Sequence, residues 1–545
     1  MYFCYGTYTA LGTAFLDKWR GTYMKRYFNE LARRALLLAV SMTILSLLSS
    51  QSLAAADGTG DSGGISHVLL LSVDGLHEKD LARYVELNPK SSLAELTHLG
   101  ITYTKASASK PSYSFPGLLS MVTGGSPRTT GVFYDDSYDR NMFPPGSDCT
   151  GPSGFDIGYD ERIDFDQNKL FSGGINPANL PKEIISGKCV EVYPHSFLRV
   201  NTIFEVAQQA GLYTAWSDDR PAYDIVRGPS GQGVADLYTP ELDSSATNLF
   251  SSAPAGATFN SSVDTAIGYD TLKVNAILLE IAGQLPANSE SSGSTPAVPA
   301  IFGMNFQAVN VGQEVAGGGY LDAAGTPSPE LLKALDFTDQ SIGKFVAALR
   351  QQTIFEKTVV IVTAKHGQTP IDPTKRLIVD STIIPNLVNS VQAGLLAQAK
   401  QDDVSLLWLN DQSKVNAVVA ELKANKAQAH IDRILSGHSL TKLFNDPTTD
   451  SRAPDIIVLP EPGVIYASPT AAKIADHGGF NEDDTHVALL VANPHFDEER
   501  ISRPVETTQI APTILSFLDL DPQKLQAVGL ENTKILPGIG ENNQQ

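Results

Sequence analysis

Three segments of the chain carry apolar runs long enough to form buried strands. They are His67–Val73, Thr358–Thr363 and Thr485–Ala492. In each run the apolar residues follow one another without regular polar alternation, which is typical of a sheet covered on both faces. Polar loops adjoin the runs, and reactive residues in such sheets gather at the carboxyl ends of strands. The runs therefore predict a covered sheet with functional loops.

Helical patterns lie between these strands. The Ser-Pro-Glu sequence at 328–330 forms an N-cap, a first-turn proline and an acidic first turn, and a helical apolar stripe continues to Leu349. Thr202 and Glu205 form a capping box for a helix that Gly211 can end. Strands alternating with helices predict an α/β fold with a central, mostly parallel sheet and helices on both faces.

The chain divides into an N-terminal extension at 1–56 and one large domain at 57–545. Within that domain, residues 135–300 are expected to form a loop-rich insertion. Residues 380–450 are expected to form a small βα excursion, with a strand at Val404–Leu409 and a helix at Lys414–Ala424.

The extension has the pattern of an export signal. From Met24, the predicted start, a basic stretch precedes the apolar run Ala35–Leu48, and small residues follow up to Asp57. The apolar run is shorter than a membrane span, which needs about 20 residues. The alternative is a leader that is not cleaved and anchors the protein in the membrane. We expect a periplasmic or secreted protein with no stable membrane span in the mature chain.

Cysteine usage agrees with export. Removal of the leader would take Cys4 with it and leave Cys149 and Cys189. A pair in an oxidising compartment predicts a disulfide, and two free buried thiols are the alternative.

The net charge of −20 limits the class of partner. Residues 1–56 are net positive, so the rest of the chain is more acidic still. Nucleic-acid surfaces need clustered positive charge, and none is expected here. A small phosphorylated substrate is compatible with this charge if cations or a few lysine or arginine side chains neutralise it locally.

Two polar residues stand at positions where chemistry is expected. Asp74 emerges from a hydrophobic strand, where a carboxylate is costly unless it is paired or binds a cation. Ser114 precedes a short predicted helix, Leu118–Thr123, whose N-terminus favours an anion and a deprotonating hydroxyl. The alternative for both residues is a capping role.

His366 and His477 each stand in a loop beside a strand, and a glycine follows each of them. A lone histidine is usually a satisfied structural residue. Two in the same context predict a shared site.

The order of these motifs resembles the type I phosphodiesterase/nucleotide pyrophosphatase family of the alkaline phosphatase superfamily. The similarity covers most of residues 66–520 and rests on five motifs: Asp74-Gly after a strand, Ser114-Phe-Pro, Val122-Thr-Gly with Gly131-Val, His366-Gly, and His477-Gly-Gly-Phe.

The resemblance implies an alkaline-phosphatase-like fold and a two-metal site, usually zinc, with Mg²⁺ or Ca²⁺ as alternatives. It implies that the hydroxyl of Ser114 attacks phosphorus and forms a covalent phospho-enzyme. Asp74 and His366 would bind one metal together with Ser114, and His477 would bind the other. Asp135 occupies the place of a phosphate-contacting asparagine.

Three positions depart from the family's ligands. Lys365 stands where the family has an aspartate. Val309 and Gln313 fall on the family's Asp-x-x-x-His motif when the chain is aligned on Gly312, and neither is a good zinc ligand.

Two explanations stay open for these departures. In the first, which resembles related sulfatases, the ammonium of Lys365 takes a metal's place and assists catalysis by acting on the phosphate and Ser114. In the second, replacement metal ligands come from the acidic run after Ala475. The alternative for that run is a solvent-exposed turn with no ligand role. The candidates in that run are Asp476, Asp483, Asp484 and His486.

The leading hypothesis is an exported hydrolase of phosphodiester or nucleotide pyrophosphate bonds that forms a phospho-serine intermediate. A one-metal hydrolase of sulfate or phosphate monoesters is the second hypothesis. The third is a degenerate member that binds a phosphorylated ligand or a partner without turnover.

Overall fold

The first two apolar runs lie at the centre of a nine-stranded sheet, and the end of the third run joins the same sheet. The structure is a computed structural model that describes residues 64–291, 293 and 295–539. The predicted export signal and Cys4 lie outside the described residues.

Within these residues the strands are, in chain order, β1 His67–Val73, β2 Gly100–Tyr103, β3 Ala106–Ser107, β4 Asp136–Asp139, β5 Phe155–Gly158, β6 Lys182–Ile185, β7 Lys188–Glu191, β8 Ala215–Ser217, β9 Asp236–Tyr238, β10 Glu290–Ser291, β11 Ile301–Phe306, β12 Thr358–Thr363, β13 Leu377–Asp380, β14 Leu396–Gln401, β15 Ser405–Leu409, β16 Ile431–Ser436, β17 Ile456–Pro460, β18 Val464–Ala467, β19 His486–Val487, β20 Leu489–Ala492, β21 Glu499–Ile501 and β22 Val505–Glu506.

The α-helices in the same part of the chain are α1 Glu78–Leu87, α2 Ser92–His98, α3 Ser114–Thr123, α4 Pro127–Thr130, α5 Pro194–Phe197, α6 Ile203–Gln209, α7 Val263–Ile281, α8 Ala308–Glu314, α9 Pro329–Gln351, α10 Ile383–Val391, α11 Val415–Ala424, α12 His438–Thr441, α13 Glu482–Thr485, α14 Ile510–Phe517 and α15 Gln526–Glu531.

The large sheet has the strand order β10-β9-β8-β11-β1-β12-β20-β2-β21. Strands β9, β8, β11, β1 and β12 run parallel, and β1 at the centre pairs with both β11 and β12. Only β10 and β20 oppose the common direction. The mostly parallel sheet with helices on both faces is therefore confirmed.

The third apolar run differs from the prediction of one strand at Thr485–Ala492. β19 pairs with β3 in a small second sheet, and β20 then joins the large sheet antiparallel to β12. The chain changes sheets at Ala488, whose N–H donates to the carbonyl of Leu76 at 3.0 Å. The run is buried except for the half-buried His486, and an apolar pattern cannot reveal a change of pairing partner.

The capping signals are confirmed. The Ser328 hydroxyl accepts the N–H of Leu331 at the start of α9. Thr202 and Glu205 form the capping box of α6, and Gly211 follows that helix with a φ of +79°. Gly211 thus takes the left-handed conformation that ends helices.

A four-stranded antiparallel sheet, β14-β15-β17-β16, forms a separate layer with its own apolar core beneath α10 and α11. It includes the region where a βα excursion was expected. Residues 135–200 consist mainly of loops and two hairpins, whereas 201–300 contribute β8, β9 and α7 to the main α/β layers. The predicted disulfide Cys149–Cys189 is present, with the two Cα atoms 5.6 Å apart. No helix among the described residues has the length and apolar character of a membrane span.

Candidate active site

The carboxyl ends of four neighbouring parallel strands carry polar side chains. Asp218 follows β8, Gln307 follows β11, Asp74 follows β1, and Lys365 and His366 follow β12. Since these strands point the same way, their ends meet at one edge of the sheet, where sites in such folds form.

Ser114 is the first residue of α3, so the helix begins four residues earlier than predicted. The helix approaches the loop after β12 closely: a Cβ atom at Gly117 would lie 2.1 Å from the carbonyl oxygen of Lys365. The absence of a side chain at Gly117 therefore lets α3 place Ser114 beside His366.

Ser114, His366 and Asp74 form one half of the site. Ser114 Oγ lies 3.5 Å from His366 Nε2, which lies 3.7 Å from Asp74 Oδ1. Asp74 Oδ2 accepts hydrogen bonds from the amides of Asn305 and Gln307, but the buried Oδ1 has no partner. Burial lowers the pKa of His366. Its Nδ1 lies 2.8 Å from the Gly367 carbonyl. Because Nδ1 then carries the ring proton and donates it to this carbonyl, Nε2 has a free lone pair that can bind a cation.

Lys365 lies behind this half of the site. Its ammonium is 0% exposed, 3.0 Å from Asp218 Oδ1, 2.8 Å from Tyr223 Oη and 3.7 Å from Asp74 Oδ2. Burial opposes its charge, but the attraction of Asp218 and Asp74 is stronger and raises the pKa of Lys365. The ammonium is enclosed by these partners and does not line the cavity in front of Ser114.

Glu314, Asp476 and His477 form the other half. One ligand atom from each lies within 4.8 Å of the others. His477 Nδ1 is 3.8 Å from Glu314 Oε1 and 3.9 Å from Asp476 Oδ1, and it has no hydrogen-bond partner. Burial lowers the pKa of His477 well below its ordinary value, so the imidazole is neutral and able to bind a cation.

The two halves are in contact. The rings of His366 and His477 stack with centroids 3.8 Å apart and planes 4° apart. Tyr113 stacks on the far side of His477 at 4.9 Å.

The sequence analysis did not identify Glu314, because the alignment on Gly312 places both motif positions one residue too early in the chain. Val309 lies in the core, and Gln313 donates to the Gly75 carbonyl and to Tyr320. The next residues along α8, Asn310 and Glu314, line the cavity instead. Their spacing of four on a helix directly after β11 is the signal that would have found them.

Lys473 and Asp402 also belong to this half and were missed. Lys473 Nζ lies 2.8 Å from Asp476 Oδ2 and 3.9 Å from Asp402 Oδ1. Asp402 comes from the turn between β14 and β15, so the second sheet contributes directly to the site.

Asp135 lines the cavity, but its Oδ1 accepts the N–H of Phe115 at 3.0 Å, beside Ser114. Burial raises the pKa of Asp135 to about 7. Among the possible replacement ligands only Asp476 reaches the cavity. The others have separate contacts: Asp483 accepts from Ile371 N–H, Asp484 accepts from Asn481, and His486 donates to the Thr104 carbonyl.

The residues of both halves of the site line one cavity of about 610 Å³. Nine carboxylates and three cationic side chains line it within the described residues. Such an excess of negative charge repels a phosphate ester unless divalent cations compensate it.

The donor set fits such cations. Asp74 Oδ1 and His477 Nδ1 are buried ligand atoms without partners, and histidine with carboxylate is a common ligand combination for zinc. Ser114, Asp74 and His366 can hold one ion, and Glu314, Asp476 and His477 a second.

The fold is that of the alkaline phosphatase superfamily, whose enzymes are hydrolases that use divalent metal ions. The family model described as type I phosphodiesterase / nucleotide pyrophosphatase matches residues 68–480, more than half of the chain. The chain therefore belongs to the type I phosphodiesterase/nucleotide pyrophosphatase family, which acts on phosphate esters and small phosphorylated substrates.

A curated relative is the Bos taurus bis(5′-adenosyl)-triphosphatase ENPP4. It is 22% identical over 191 residues, which span 35% of this chain and 39% of the relative. Murine ectonucleotide pyrophosphatase/phosphodiesterase 5 has a similar structure, with a TM-score of 0.53 and 14% identity over 84% of this chain and 96% of that one. Wild-type alkaline phosphatase PafA gives a TM-score of 0.56 and 14% identity over 85% and 97%. These structural similarities establish the fold alone.

Proposed function

We propose that this protein is an exported hydrolase of phosphodiester or nucleotide pyrophosphate bonds that works through a covalent intermediate on Ser114. The observation that carries the proposal is the position of Ser114. It begins α3, its Oγ lies 3.5 Å from His366 Nε2, and it opens on the cavity that Asp74 and His477 also line.

The reaction has two steps. In the first, Ser114 releases its hydroxyl proton to solvent, Oγ forms a bond to phosphorus while the bond to the leaving oxygen breaks, and that oxygen takes a proton from solvent. In the second, water attacks phosphorus and gives up a proton to solvent, the bond to Oγ breaks, and Oγ takes up a proton, so that the serine is regenerated. Splitting one difficult displacement into two is the advantage of a covalent intermediate.

Two half-sites support two metal ions, with zinc as the proposed metal because both contain histidine and carboxylate. When bound, the ions supply Lewis-acid charge that favours the ionised serine and stabilises the leaving oxygen. The cluster of Glu314, Asp476 and His477 favours this arrangement over the one-metal alternative.

Lys365 acts in this scheme as a positioning residue. Its ammonium contacts Asp218 Oδ1 and lies near Asp74 Oδ2. It therefore neutralises carboxylates behind the nucleophile and holds Asp74 with Oδ1 toward Ser114 and His366.

The size of the cavity supports a substrate larger than a single phosphoryl group. A volume of about 610 Å³ lies within the range of about 300–1,000 Å³ that is typical of ligand pockets. It has room for groups on both sides of phosphorus. The activity in the name of the bovine relative, a bis(5′-adenosyl)-triphosphatase, supports including nucleotide pyrophosphates among the substrates tested.

Export is supported by two features. The sequence from Met24 has the order of a secretory leader, and the disulfide Cys149–Cys189 is of a kind that persists in oxidising compartments.

Replacement of the nucleophile tests the proposal. Ser114→Ala is expected to lower kcat for bis(p-nitrophenyl) phosphate by at least about 1,000-fold, because the hydroxyl that attacks phosphorus is removed. Ser120→Ala is the matched control: Ser120 lies on the same helix, but its hydroxyl donates to the Pro116 carbonyl and is buried away from the cavity. Equal turnover by Ser114→Ala and the parent would refute the assignment.

A further inference from the structure

Lys473 places a positive charge on a carboxylate that is also a candidate metal ligand. Its Nζ lies 2.8 Å from Asp476 Oδ2 and 3.9 Å from Asp402 Oδ1. Asp476 forms the second half of the site with Glu314 and His477. The ammonium therefore neutralises the same group of carboxylates that a divalent cation would neutralise.

The two lysines of the site differ in their freedom to move. Lys365 is 0% exposed, hydrogen-bonded to Tyr223 Oη, and its ammonium lies 4.3 Å from the centre of that ring. Lys473 is 44% exposed and has no hydrogen bond to a residue other than Asp476 among those described. Because a lysine stem has four rotatable bonds, Lys473 can turn its ammonium into solvent, whereas Lys365 cannot.

The charges on this half of the site favour the replacement of the Lys473 ammonium by a divalent cation. The Lys473 ammonium pairs with the carboxylates of Asp476 and Asp402, and the charge of Glu314 also attracts it. Without a cation, partly buried carboxylates repel one another, so an internal cation holds them together. A divalent ion satisfies them better, and it then meets repulsion from the ammonium at close range.

We infer that Lys473 is an exchangeable internal counter-ion of the Glu314–Asp476–His477 site. Its ammonium holds the carboxylates in place without a metal and leaves Asp476 when a divalent cation binds. Metal binding at this half is thus a competition with the chain's own lysine. The inference rests on the proposed metal site and concerns its affinity, not its existence.

Zinc titration of the metal-stripped full chain by calorimetry tests the inference. Lys473→Ala is expected to bind Zn²⁺ at this site roughly tenfold more tightly than the parent, because the competing charge is gone. Lys473→Arg retains the charge, and its affinity should stay within about threefold of the parent.

Two further variants locate the effect. Lys400→Ala removes a cation from the same cavity, but Lys400 pairs with Asp136 and Asp156, so zinc affinity should change little. Glu314→Gln removes a ligand carboxylate and should cost one equivalent of tightly bound zinc.

The outcomes separate the inference from the proposed function. If the parent binds zinc and Glu314→Gln loses an equivalent, but Lys473→Ala binds no more tightly, the counter-ion role is wrong and the metal site stands. An equal gain from Lys400→Ala would also overturn the inference, since the effect would be one of overall charge. If the parent binds no zinc at this site, both proposals fail.

Discussion

Asp135 is an acidic residue beside the proposed nucleophile, at a position where a negative charge opposes the substrate. Its Oδ1 accepts the N–H of Phe115, which directly follows Ser114. Burial raises the pKa of Asp135 to about 7, so the carboxyl holds a proton below that pH and is ionised above it. A protonated carboxyl can donate a hydrogen bond to a phosphoryl oxygen, whereas the ionised form repels it.

Asp135→Asn is therefore expected to change the pH dependence of catalysis. The amide keeps an acceptor for Phe115 N–H and supplies a donor at every pH. Above about pH 7, kcat/KM should exceed that of the parent by up to roughly tenfold, and the difference should vanish at lower pH. Profiles of kcat/KM against pH for the two proteins measure this effect. A variant that is slower than the parent at every pH contradicts the role.

At the scale of residues, the sequence identifies side chains that adjoin buried strands or glycine-flanked loops. Asp74, Ser114, His366 and His477 could be selected in this way, and the structure brings them to one cavity. The contributions of Lys473 and Asp402 depend on contacts between distant segments, which local patterns do not encode.

The contact between α3 and the loop after β12 determines the spacing of Ser114 and His366. Gly117 faces the carbonyl of Lys365 without space for a Cβ atom. Any side chain there must move the helix away from the loop.

Gly117→Ala is expected to leave a folded protein with kcat lower by roughly 100-fold, because a displacement of about 1 Å at reacting atoms has that effect. Gly529→Ala on α15 is the matched control, since a Cβ atom there would meet no atom within 4 Å. Circular dichroism verifies folding, and steady-state kinetics measures kcat. An unchanged kcat for Gly117→Ala would show that the close contact does not set the geometry of the site.

Elements with strong local signals could be predicted closely. The capped helices α6 and α9 and the strands β1 and β12 lie where the sequence indicates them. The exchange of sheets between β19 and β20, and the layer formed by β14 to β17, depend on long-range pairing. No periodicity of three or four residues reports such pairing.

One pair of buried carboxyl groups makes the stability of the whole protein depend on pH. Glu280 and Asp236 lie together in the interior, 3% and 1% exposed. Burial, followed by the hydrogen bond to Asp236, raises the pKa of Glu280 to about 10. The folded state therefore holds a proton that the unfolded state releases above about pH 4.5. Between these values the free energy of unfolding falls as pH rises, by up to about 1.4 kcal/mol per pH unit.

Glu280→Gln should remove this contribution, since an amide does not titrate and can still donate to Asp236. The decline in Tm between about pH 5 and about pH 9 is expected to become shallower. Glu86→Gln, at an exposed position on α1, should leave the decline as it is in the parent. Thermal melts across this range measure the slopes, and a slope unaffected by Glu280→Gln would contradict the linkage.

The central claim is that Ser114 becomes covalently attached to phosphorus, and trapping the intermediate tests it most directly. The protein is mixed with excess bis(p-nitrophenyl) phosphate, quenched in acid, digested and mapped by mass spectrometry. We predict an aryl-phosphoryl group on Ser114 in the parent and in Ser120→Ala, and none in Ser114→Ala. An adduct on a different residue, or rapid turnover without any adduct, would contradict the account.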